Sequence, residues 1–296
     1  MINVVLGALG IFVASFAVVF GLDLNKHKGN LEQETSWATT GIAGLIINFM
    51  DTLGIGSFAP LTATLRGFKQ VEDKVLPGTL NVSCTIPVVL EAFLFISAVE
   101  VEIITLICML GAAVVGAVIG AGIVSKLPEK TIQMVMGIAL VATAFLMLAG
   151  QLNWIEGLGT GTALGLSGTK LILAIVGNFI LGALMTAGIG LYAPCMALVY
   201  VLGMSPAVAF PIMMGSCAFL MPAASMKFVR EGAYNRKASL GITIGGIIGV
   251  IIAVRFFSSL SLDLLTWLVI VVVSYTAITL LKSAFKPKSV DTIVSE

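Results

Sequence analysis

Charge is scarce in this chain. Only 10% of its 296 residues are Asp, Glu, Lys or Arg, while 58% are hydrophobic and the mean hydropathy is +1.10. Soluble domains carry ~25% charged residues, so a water-soluble globule is excluded and an integral membrane protein is indicated. The net charge is +1, and the basic residues lie in short clusters, which excludes a nucleic-acid binder. Histidine occurs once, as His27 between Lys26 and Lys28, where it reads as solvated. An intramembrane enzyme therefore lacks a Ser–His pair, and Asp51 has no second aspartate beside it. The four cysteines, Cys84, Cys108, Cys195 and Cys217, show no C-x-x-C spacing, so no metal site and no cofactor are expected.

What the chain has instead is apolar runs. Residues 2 to 22 lack a basic leader and exceed the length of a signal-peptide core, so they read as an uncleaved N-terminal anchor. Full-length runs follow at about 76 to 97, 103 to 124, 132 to 150, 205 to 226, 238 to 256 and 263 to 283. The positive-inside rule places Lys26 and Lys28, Arg66 to Lys74, Lys126 and Lys130, Lys227 to Lys237, and the tail from Lys282 on the cytoplasmic side. Glu100, Glu102 and the Gly/Thr-rich linker from Gln151 to Thr169 then fall outside. The expected location is the cell membrane, with the N-terminus outside and the C-terminus cytoplasmic.

Two stretches remain, about 38 to 65 and 171 to 203, and each carries the same segment. Gly54-Ile55-Gly56-Ser57-Phe58-Ala59-Pro60 returns 134 residues later as Gly188-Ile189-Gly190-Leu191-Tyr192-Ala193-Pro194. Each stretch begins and ends on one side, so each is expected to be a hairpin. The first returning arm, Ala59 to Lys69, is roughly 16 Å long at 1.5 Å per residue and fits a re-entrant loop; the second hairpin is long enough to leave full crossing open. Pro77 matches Pro211, Ser83-Cys84 matches Ser216-Cys217 within one residue, and Gly111 matches Gly245. The topology makes the two copies inverted.

The expected fold is thus all-α and polytopic. An N-terminal transmembrane helix and loop (1–36) precede a first repeat (37–150), an external linker (151–170), a second repeat (171–284) and a tail (285–296). Each repeat is a glycine-broken helical hairpin plus three transmembrane helices.

A Gly-x-Gly break, a small residue and Pro, followed by three spans with a Ser125-Lys126-Leu127-Pro128-Glu129-Lys130 link before the last, resembles the sulfite exporter TauE/SafE family of transporters. The resemblance spans about residues 38 to 284. It implies movement of sulfite, organosulfonates or related sulfur-containing anions across a prokaryotic cytoplasmic membrane.

Elementary physics also points to an anion. Pro60 and Pro194 suit first helical turns, and opposed helix N-termini offer free N–H groups with about half a positive charge each. Ala59 and Ala193 belong to the same two N-termini. Gly54, Gly56, Gly188 and Gly190 let a ligand approach backbone, and Thr52, Ser57 and Thr186 can add hydroxyl donors. The competing reading makes these Gly and Pro residues simple packing kinks.

Asp51 is a candidate for proton coupling, weighed against a helix-end cap, and Glu91 reads as structural. Ser83, Cys84, Ser216 and Cys217 are candidate pore-lining residues, with a thiol relay the lesser reading of the cysteines. Met213, Met214, Met221 and Met226 read as packing. The partners expected are a small anion and the lipid bilayer, with homo-oligomerisation left open. A channel would use the same hairpins, and a non-transporting scaffold would have its hairpin tips packed solid with apolar side chains.

Overall fold

The structure, a computed structural model, describes residues 2–124, 128–152, 154, 161–185 and 190–285, without the side chains at 120–124, 129 and 262. These residues form eleven α-helices and no strand: α1 (Ile2–His27), α2 (Trp37–Thr52), α3 (Phe58–Gly67), α4 (Leu76–Ala98), α5 (Ile103–Val124), α6 (Glu129–Gln151), α7 (Gly168–Met185), α8 (Tyr192–Val201), α9 (Ala209–Glu231), α10 (Arg236–Phe257) and α11 (Leu262–Phe285). A 3-10 turn at Pro206–Val208 leads into α9. The fold is that of an all-helical polytopic membrane protein.

Among the described residues seven helices, α1, α4, α6, α7, α9, α10 and α11, are long and apolar enough to cross a membrane. The 22-residue α5 covers the expected run at 103 to 124. The second glycine-broken stretch, for which the sequence leaves full crossing open, has a short return arm. Its outgoing arm α7 has 18 residues, whereas its return arm α8 has only 10, as does α3. Ten residues span roughly 15 Å, half the hydrocarbon thickness, so neither return arm can cross.

Local chemistry sets the helix ends. Ser36 caps α2 by accepting from Thr39 N at 3.3 Å, and Asn235 caps α10 by accepting from Ala238 N at 2.7 Å. Glu32 adds its carboxylate to the same N-terminus, taking the Arg236 and Lys237 N–H groups at 2.9 and 3.0 Å. Gly232 ends α9 in the left-handed conformation that glycine tolerates.

Helix pairing follows the small residues. A Cβ added at Gly245 or Gly249 of α10 would strike the carbonyls of Gly41 or Leu45 in α2, and one added at Gly44 would strike Ile242. Gly116 of α5 and Gly182 of α7 meet the backbone of the opposite helix in the same manner. Backbones thus approach closely without lipid between them. α4 packs on α9, and α6 on α11. Exchanging the two halves turns the α2–α10 pair into α7–α5 and leaves α4–α9 and α6–α11 unchanged.

Connecting segments gather at two ends. At one, Thr35 Oγ1 donates to Gln70 O at 2.8 Å and accepts from Asn235 Nδ2 at 2.9 Å, while Asn235 N donates to Thr79 Oγ1 at 2.9 Å. The α1–α2, α3–α4 and α9–α10 links therefore meet, and the α2–α3 hairpin begins and ends there. At the other end, Glu102 N donates to Leu164 O at 2.8 Å, Ser205 N to Ala163 O at 2.9 Å, and Lys170 Nζ to Leu202 O at 3.1 Å. The α7–α8 hairpin begins and ends at this end. Helix α4 runs from the first end to the second.

Candidate functional site

The first hairpin breaks on glycine, and Gly190 precedes α8 in the second. Leu53 and Gly54 donate to Met50 O and Asp51 O to close α2, then Gly54 (φ 97°) and Gly56 (φ 87°) turn the chain through backbone space that favours glycine. Ser57 and Leu191 stand at the N-cap positions of α3 and α8. The first intrahelical bonds run from Leu61 N to Ser57 O and from Cys195 N to Leu191 O. The N–H groups of Phe58, Ala59, Tyr192 and Ala193 precede them and have no place in the helical ladder. Pro60 and Pro194, each at the third helical position, forgo only a donor that the first turn leaves over.

These two N-termini face one cavity of about 270 Å³. Its wall includes Gly56 to Pro60 from the first hairpin and Gly190 to Ala193 from the second. Asp51 in the last turn of α2 and Met185 at the end of α7 also line it, as do Cys217 and Met221 of α9. On the far side Gln133 of α6 and Tyr275, Thr276, Thr279 and Ser283 of α11 complete the wall. Among the described residues no lysine, arginine or histidine lines it. The α8 arm packs on both α6 and α11, whereas among the described residues α3 makes no comparable packing on either. The cavity occupies that seam.

Of the residues singled out in the sequence, Asp51, Gly56, Ser57, Ala59, Pro60, Gly190, Ala193 and Cys217 are brought to this wall. Thr186 and Gly188 lie outside the described residues. The others are placed elsewhere. Gly54 is needed for its positive φ and for room, since a Cβ there would meet Met196. Pro194 sits in the first turn of α8, behind the lining residues. Ser83 Oγ turns back to Leu80 O at 3.2 Å, and Ser216 Oγ donates to Ile212 O at 2.7 Å while accepting from Asn178 Nδ2 at 3.1 Å. Neither hydroxyl lines the cavity, because each is spent on packed backbone. Cys84 is fully buried, and the four cysteines are free thiols. Cys217 Sγ lies 3.6 Å from Met185 Sδ. Met221, expected only to pack, joins these two sulfurs at the cavity. Gly190 has open space beside it, with nothing within 4 Å of where a Cβ would stand.

Asp51 is buried at 2% exposure, and among the described residues its Oδ2 has no hydrogen-bond partner. Ser57 faces its carboxyl with both hydroxyl and backbone N–H. Glu91 is the residue whose role the sequence understated. It is wholly buried on α4, its Oε1 is 2.8 Å from Thr52 Oγ1, and its Oε2 accepts from Tyr192 OH at 3.3 Å. Thr52 therefore lies behind the cavity wall rather than on it. Spacing alone could not reveal this link, since 101 residues separate Glu91 from Tyr192.

No curated protein and no solved structure matches the chain. A family model does, over α1 to most of α6. The matched segment takes in the N-terminal helix, which the hairpin motif alone had left outside the resemblance. Residues 2–147 match the sulfite exporter TauE/SafE family, a family of membrane transporters, in agreement with the glycine-broken hairpin that they contain.

Proposed function

We propose that this protein is a secondary carrier for a small sulfur-containing oxyanion, held between the N-termini of α3 and α8 near the middle of the membrane. The observation that carries the reading is that both sets of free N–H groups line one cavity that, among the described residues, has no basic side chain. Dipoles and N–H donors suit an anion that must also be released. The family match favours sulfite or a chemical relative as the cargo.

The two halves act as inverted repeats in this reading, with residues 37–150 and 171–284 as the units, residues 1–36 before them, a 151–170 linker and a 285–296 tail. Support comes from the hairpins, whose open ends meet different clusters of links, and from a pairing scheme that survives exchange of the halves. The N-terminus is placed outside and the C-terminus in the cytoplasm of a cell-membrane protein by the distribution of lysine and arginine. Asp51 is the proposed coupling residue. Its unpartnered oxygen and its place on the wall favour a proton exchanged beside the cargo over a purely structural cap.

A scaffold would leave no polar cavity between the hairpin tips, and this one is lined by a carboxyl, hydroxyls and free N–H groups. A channel is disfavoured by the one-sided seam, closed by α8 and open beside α3. The test is flux of labelled sulfite, thiosulfate, sulfonates and sulfate in vesicles of defined orientation. Saturation and counterflow are expected for one of these anions; unsaturable flux of all would replace the carrier with a channel.

A further inference from the structure

Glu91 occupies a position that transport of an anion through this cavity does not by itself explain. It lies on α4, which belongs to neither hairpin, yet it touches both: Thr52 at the end of α2 and Tyr192 at the start of α8. No ion pair among the described residues offsets its charge. The titratable groups that face it are Asp51 of α2, Tyr192 of α8, and the thiols Cys84 of α4 and Cys217 of α9. None is a cation.

Hydrogen counting then becomes informative. Thr52 Oγ1 is 2.8 Å from Asn48 O and 2.8 Å from Glu91 Oε1. A hydroxyl has one hydrogen to donate. If Thr52 gives it to the Asn48 carbonyl, the contact with Glu91 is a hydrogen bond only when the carboxyl supplies the hydrogen. With a proton on Oε1 every partner is served: Glu91 donates to Thr52, Thr52 donates to Asn48 O, and Tyr192 donates to Oε2. Without it, Thr52 must abandon one of two buried acceptors, and an unserved buried acceptor is costly.

We propose that Glu91 binds a proton in this conformation and uses it to tie the tips of the two hairpins together through Thr52 and Tyr192. Loss of the proton frees Thr52 from one partner and slackens the link between the arms that carry the anion-binding N-termini. The proton-binding step needs only the Glu91 neighbourhood; its effect on transport rests on the carrier reading above.

Two measurements separate these. In protein reconstituted in lipid, infrared difference spectra between acid and alkaline buffer report the carbonyl stretch of a protonated carboxyl. A component of that band should vanish in Glu91→Gln, shift in Thr52→Val and persist in Asp51→Asn. A band unchanged in Glu91→Gln would overturn the proposal. Glutamine can donate to Thr52 and accept from Tyr192, so it imitates the protonated acid permanently. Labelled sulfite uptake by Glu91→Gln should therefore retain binding but lose its response to external pH, whereas Glu91→Ala should fall roughly tenfold or more. A normal pH response in Glu91→Gln would refute the coupling of this proton to transport. If wild-type protein moves no sulfite, the carrier reading is at fault, and the infrared result still decides whether Glu91 holds the proton.

Discussion

Arg236 Nε donates to Asp23 Oδ2 at 2.7 Å, fastening the start of α10 to the end of α1 across 213 residues of sequence. Tyr234 OH donates to the same oxygen at 2.6 Å. Burial, reinforced by Asp23 beside it, pushes the Tyr234 phenol above its usual range, so it stays a donor. Both ends of the ion pair are about five-sixths shielded, with side-chain exposures of 17% and 16%.

Removal of the shared acceptor is therefore expected to cost about 2 kcal/mol, since hydrogen bonds to charged groups exceed neutral ones. Asp23→Ala should lower the melting temperature of the detergent-solubilised protein, and Tyr234→Phe should lower it less. Unchanged melting of Asp23→Ala would make α1 an independent anchor.

Two glycines should fail in different ways. Gly245→Val drives a side chain into the Gly41 carbonyl, so the expected result is little folded protein in the membrane. Gly56 has open space beside it but a φ of 87°, and a valine there is strained by about 1–2 kcal/mol. Gly56→Val should still reach the membrane yet transport poorly, because bulk enters the cavity. Comparable expression and flux for both variants would remove the distinction between a packing glycine and a site glycine.

Asp51→Asn keeps the shape of the carboxyl and can still accept from Ser57. Substrate binding is expected to survive, with accumulation no longer following an imposed proton gradient. Gradient-driven accumulation by this variant would return Asp51 to a capping role.

Sidedness can be read with an impermeant thiol reagent on single-cysteine proteins. Lys74→Cys and Trp154→Cys should label from opposite faces of the membrane, since α4, α5 and α6 lie between them. Labelling from the same face would contradict the inverted arrangement.

Much of the architecture was legible because it rests on one-dimensional signals. Apolar length gave the long helices, and the repeated Gly-Ile-Gly segment gave both hairpins and the arms that begin at Phe58 and Tyr192. Glycine at the break was readable because few other residues can turn the chain there. The site was less legible wherever a side chain chooses between backbone and cavity. Ser83 and Ser216 matched in sequence, but each hydroxyl satisfies its own helix instead of the cavity. Glu91, Met185 and the polar face of α11 carry no local motif. Their meeting depends on how α4, α7 and α11 pack, which sequence spacing does not encode.

The backbone-to-backbone contact of α2 with α10 also has a mechanical consequence. At Gly41, Gly44, Gly245 and Gly249 backbone meets backbone, while the short side chains of Thr40 and Asn48 fill in beside Gly241 and Gly246. In the carrier reading these two helices travel as one rigid body, and α5 with α7 as another. In the same reading, displacement that opens or shuts the cavity is concentrated in the short arms α3 and α8, with Gly54 and Gly56 as the hinge of the first. Among the described residues α8 rests on α6 and α11 while α3 makes no comparable packing on either, so in the carrier reading the opposite stroke of that movement seats α3 and lifts α8.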